Sequence, residues 1–105
     1  MKLIDLNPRW VGAGGEGVSD AQGRPVPARQ GVGLMFECPC RCGETIYVAF
    51  RQPLDGGAPC LTNAQAPTWE RTGDTFETLT LLPSILRMTG CRWHGFVTAG
   101  QVSTC

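Results

Sequence analysis

The stretch "FECPCRCGE", residues 36–44, sets Cys38, Cys40 and Cys42 at every second position between two apolar runs. In an extended segment all three side chains would share one face. Pro39 and Gly43 argue instead for a tight turn, in which backbone amides point toward sulfur. A second stretch, "TGCRWHGFV" at residues 89–97, carries Cys91 and His94 as C-x2-H followed by glycine. Two such halves can supply four tetrahedral ligands of the Cys3His kind, tying a strand–strand connection to a later hairpin. The first half departs from the usual C-x2-C spacing, so which two of Cys38, Cys40 and Cys42 bind is left open. Zinc is the expected metal, because thiolate and imidazole in a closed tetrahedral set suit it. Cys60 and Cys105 have no partners in sequence and read as small apolar groups.

Outward from the cysteines, "VGLMFEC" before and "ETIYVAF" after read as strands, rich in β-branched and aromatic residues. "HGFVT" and "QVSTC", joined by Ala99-Gly100, carry a hairpin signal. "WERTGDTFETLTLLPSI" reads as a hairpin or two short strands around Thr72-Gly73-Asp74, closed by Pro83, with "ILRM" as a helical turn. "KLIDL" reads as a short strand ended by Asn7-Pro8. Residues 12–33 and 51–67 read as long Pro/Gly-rich loops. The expected fold is therefore mainly β: one small, zinc-ribbon-like antiparallel domain over residues 1–105. Trp10, Trp69 and Trp93 read first as core.

Composition narrows the function classes. Nine basic residues balance nine acidic ones, which removes the electrostatic basis for binding nucleic acid or an anionic membrane. No apolar run reaches the length of a membrane span. "MKLIDLNPRW" lacks the apolar core of a secretory signal, so a reducing cytoplasm is expected and six cysteines read as metal ligands or reactive thiols before disulfides. "GAGGEG", residues 12–17, matches a dinucleotide pattern, but "VSDAQGRPVP" after it cannot open the helix that holds a pyrophosphate.

Catalysis is not expected from these residues, and no catalytic residue is assigned. Five candidate ligands compete for four places, which favours a closed site with little Lewis acidity. No Ser-His-Asp set can be assembled around the one histidine without removing it from the metal. A Rieske cluster needs two histidines and is excluded for the same reason. The alternative is a small metalloenzyme, with Glu37 or Glu44 as base, or a thiol-redox or iron–sulfur protein with Arg41 lowering a thiol pKa.

Together, "FECPCRCGE", "PTWERTGDTFETLTLLPSI", "GCRWHGFVTAGQV" and the opening "LIDLNPRWVGAGGEG" resemble a group of small cysteine-rich bacteriophage and prophage proteins of unknown function. Some members carry the label "ammonia monooxygenase", which a 105-residue chain without spans does not fit. The resemblance implies a phage origin and zinc on Cys38, Cys40 or Cys42 with Cys91 and His94. The expectation is a zinc-stabilised binding or structural protein, not an enzyme, in the host bacterial cytoplasm or the virion. It would contact a virion or host protein through its long loops, as a multimer if virion-associated.

Overall fold

The computed structural model describes residues 1–15, 17–60, 66–87 and 90–104. A short 3-10 turn, Leu3–Leu6, precedes seven strands: β1 Arg9–Ala13, β2 Arg29–Glu37, β3 Thr45–Ala49, β4 Glu70–Thr72, β5 Thr80–Leu86, β6 His94–Thr98 and β7 Gln101–Thr104. They form two antiparallel sheets, β1-β2-β3 and β4-β5-β6-β7. The mainly β architecture is as the residue pattern requires, and both strands flanking the cysteine run lie where alternation puts them. Among the described residues no helix is long and apolar enough to cross a membrane.

One core serves both sheets. Leu34, Phe36, Ile46 and Val48 come from the first, with Phe50 just after β3, and Leu81, Ile85, Val97 and Val102 from the second, with Trp93 just before β6. Trp93 meets Phe36 edge-on at 6.3 Å between ring centroids, so aromatic packing crosses between the sheets beside the cysteines. All three tryptophans serve packing, with Trp93 buried and Trp10 and Trp69 half-buried against the core. The sheets also join through backbone: Trp69 N–H donates to the Ala49 carbonyl at 2.9 Å, and Arg51 N–H to that of Trp69 at 2.8 Å.

Three sequence expectations are corrected. "KLIDL" is a 3-10 turn because Leu3 and Leu6, three apart, both enter the core, a spacing that a strand would send to opposite faces. Residues 12–33 are not one loop. β1 ends at Ala13 and β2 begins at Arg29, and the pairing of Trp10 with Leu34 and Val11 with Gly33 makes the region a long hairpin. Pro83 does not close β5 but lies inside it, and Ile85 and Leu86 continue the strand where a helical turn was expected. Pro83 falls where the β5–β6 register shifts between Leu81 and Ile85, a bulge that tolerates a residue without an N–H. Met88 and Cys105 lie outside the described residues.

The closing hairpin turns through Ala99 (φ 47°) and Gly100 (φ 76°), the left-handed pair that a two-residue turn needs. Gly95 on β6 is required for space. A Cβ there would collide with the Ser103 carbonyl and the Trp93 ring. We expect Gly95→Ala to lose roughly 1–3 kcal/mol by overpacking, read as a lower denaturation midpoint with unchanged slope.

Candidate functional site

The β2–β3 connection, residues 38–44, folds back on itself: Cys38 N–H donates to the Glu44 carbonyl at 2.9 Å and Arg41 N–H to the Cys38 carbonyl at 3.0 Å. Positive φ at Arg41 (64°) and Gly43 (84°) lets the segment coil instead of running on as a strand. Cys38, Cys40 and Cys42 therefore converge and meet Cys91 from the β5–β6 connection. Cys38 Sγ lies 3.2 Å from Cys40 Sγ and 3.3 Å from Cys91 Sγ, and Cys42 Sγ lies 3.7 Å from Cys91 Sγ. All four sulfurs fall within 4.8 Å of one another, close enough to share one metal ion. A tetrahedral thiolate set with metal–sulfur bonds of about 2.3 Å spaces its sulfurs about 3.8 Å apart, so the donor set fits.

The fifth expected ligand is elsewhere. Trp93 is buried, so strand alternation turns His94 to the opposite face of β6, away from the thiols. There His94 Nε2 lies 2.9 Å from Ser84 Oγ on β5. Glu44, cast above as a base, instead lies 3.8 Å from the Arg87 guanidinium. The cation that reaches the sulfurs is Arg87, not Arg41. Its Nη1 is 3.5 Å from Cys42 Sγ and 3.4 Å from Cys91 Sγ, and its side chain is only 12% exposed.

Without metal, Cys38, Cys40 and Cys91 titrate together. Hydrogen bonds from Cys40 and then Cys38 stabilise the Cys91 thiolate and bring that thiol down to about 6. Once Cys91 is charged, its hydrogen bond, followed by those of Cys38 and Cys42, holds the Cys40 proton in place and pushes that thiol up to about 12. Burial raises Cys38.

Ser84 and His94 are both half-buried, and each is fixed by its strand. Leu86 is the direct partner of His94, and the bulge between Leu81 and Ile85 re-aims Ser84 toward the imidazole. The Trp69 indole N–H donates to the Ser84 carbonyl at 3.2 Å, holding the backbone of that residue from the other side. A serine hydroxyl within hydrogen-bond reach of an imidazole is the minimal arrangement for base-activated nucleophilic attack. Sequence reasoning missed Ser84 once His94 had been given to the metal. The available signal was the one histidine, ten residues after the serine of "LLPSIL".

Two β-sheets carrying a four-thiol cluster and, on the neighbouring strands, a Ser–His pair define a small β protein with serine-nucleophile geometry. The chain belongs to the family described as bacterial ubiquitination-like system serine protease (BubE), whose family model matches residues 19–105. Neither curated proteins nor solved structures return a match. The family overturns two expectations: a phage binding or structural protein acting by contact, and a chain that is not an enzyme. Both followed from assigning His94 to the metal, which left no base for a nucleophile.

In reduced, metal-free protein, Cys91 should be the first thiol alkylated by iodoacetamide, with an apparent pKa near 6, and buried Cys38 the last. Peptide mapping across a pH series reads the order.

Proposed function

We propose that this chain is a serine protease in which Ser84 is the nucleophile and His94 its general base, acting on a polypeptide of a bacterial ubiquitination-like system. The observation that carries it is the 2.9 Å approach of His94 Nε2 to Ser84 Oγ, and the family description agrees with it. With its proton on Nδ1, neutral His94 accepts the Ser84 hydroxyl proton at Nε2 as Oγ attacks the scissile carbonyl. The resulting imidazolium then donates that proton to the departing amine, leaving an acyl ester on Ser84. Water, deprotonated by the same imidazole, hydrolyses the ester and restores the hydroxyl.

The cysteine cluster enters as a staple. We assign it zinc, held by Cys38, Cys40, Cys42 and Cys91, since four thiolates close the coordination sphere and leave no position for water. Bound zinc supplies structural cross-linking, and the proposed chemistry stays with Ser84 and His94. Arg87 offsets part of the negative charge of such a site.

A fluorophosphonate probe should label Ser84 and no other residue. Ser84→Ala should abolish labelling, and His94→Ala should lower the turnover of any cleaved peptide by roughly 10⁴-fold or more. Labelling elsewhere, or none, would falsify the assignment. Elemental analysis of tag-free protein should find one zinc per chain, and chelation should lower Tm sharply, because structural zinc contributes on the order of 10 kcal/mol to folding.

A further inference from the structure

The outer face of the β4–β7 sheet carries more than Ser84 and His94. Leu82 and Leu86 are each 51% exposed, and Phe96 is 41% exposed. Isolated exposed apolar side chains are ordinary, but these three are grouped. On β5, Leu82 and Leu86 are exposed next to buried Leu81 and Ile85, so they stand on the outer face to either side of the bulge that carries Ser84. Leu86 is also the direct cross-strand partner of His94. Phe96 follows His94 by two on β6, with its ring centroid 6.4 Å from the imidazole. Val97 and Ile85, the alternate positions, are buried beneath.

β4 pairs only with Thr80, Leu81 and Leu82, and just beyond it the Trp69 indole N–H holds the Ser84 carbonyl on that side, which leaves the outer face as the approach to Ser84 Oγ. Alternate side chains of an extended peptide recur about every 6.6 Å on one face. An extended chain crossing this outer face with its carbonyl at Ser84 would lay its flanking side chains over Leu82, Leu86 and Phe96.

We propose that Leu82, Leu86 and Phe96 form the specificity surface of the Ser84–His94 site, selecting an extended polypeptide with apolar side chains on both sides of the cleaved bond. The proposal rests on the protease reading of Ser84. A buried apolar contact of this size changes kcat/KM by about 10- to 200-fold between a matched and a mismatched side chain. An acidic or amide side chain over Leu86 and Phe96 would lose its water without gaining a partner.

The test incubates the full-length, zinc-loaded protein with an equimolar library of tetradecapeptides and reads the cleavage sites by mass spectrometry. In parallel, Ser84 is labelled with a fluorophosphonate. The expected result is labelling of Ser84 and enrichment of Leu, Ile, Val, Phe and Met next to the cut, with acidic residues depleted. Leu86→Lys and Phe96→Lys should shift the preference toward Asp and Glu by about tenfold, a ratio that does not depend on the fraction of folded enzyme. Labelled Ser84 with no apolar preference, with no cleavage, or with a preference that neither substitution moves, overturns the specificity surface and leaves the nucleophile standing. Unlabelled Ser84 overturns the protease reading and this inference with it. If Leu86→Lys instead converts a dimer to a monomer with the preference unchanged, the face joins two copies and the proposal is wrong.

Discussion

Four sulfurs held within 4.8 Å of one another are the constraint on which this structure turns. Three come from the connection inside the first sheet and one from the connection inside the second. As thiols they make weak hydrogen bonds, which bring Cys91 down to about 6, and the charge this creates keeps the Cys40 proton to about 12. A divalent metal bound there would remove that repulsion and allow all four to be thiolates, turning a loose contact between two sheets into a cross-link. The cluster lies at one end of the shared core, against buried Cys38 and the Phe36–Trp93 contact. Packing and the four-sulfur cluster therefore meet at the same corner of the molecule.

That corner governs the geometry of the Ser–His pair. Cys91 and His94 are three residues apart, with Trp93 between them sunk into the core and its indole N–H donating to Thr104 Oγ1 at 3.0 Å. On the other strand, Arg87 follows Ser84 by three. It reaches the sulfurs with its guanidinium, while its backbone N–H donates to the Trp93 carbonyl at 2.9 Å. Both members of the pair are thus one short span of strand from the cluster. A hydrogen bond between side chains on neighbouring strands tolerates little displacement, and a metal on the four sulfurs would limit how far β5 and β6 can slide.

Much of the scaffold was legible in the residues. The strands on either side of "CPCRC" and the Ala99-Gly100 hairpin follow from alternation and turn chemistry, and the gathering of Cys38, Cys40, Cys42 and Cys91 follows from their spacing. The N-terminal hairpin was hidden by glycines, because Gly12 and Gly33 interrupt the alternation without preventing the pairing of β1 with β2. His94 was given to the metal because C-x2-H is also a metal half-site, whereas the structure gathers four sulfurs without it. Spacing cannot reveal that Trp93 claims the core and turns its neighbour outward. The approach of Ser84 to His94 also depends on a bulge at Pro83, whose effect on register no local pattern encodes. The functional reading moved with that one side chain.

The central claim is a division of labour: sulfur holds the metal, and His94 serves Ser84. A crystal structure of the zinc-loaded protein after reaction with diisopropyl fluorophosphate tests both halves at once. The account predicts phosphorus on Ser84 Oγ with the imidazole beside it, and a metal bound by Cys38, Cys40, Cys42 and Cys91 alone. An imidazole nitrogen of His94 in the metal's coordination sphere, with Ser84 unmodified, would contradict it.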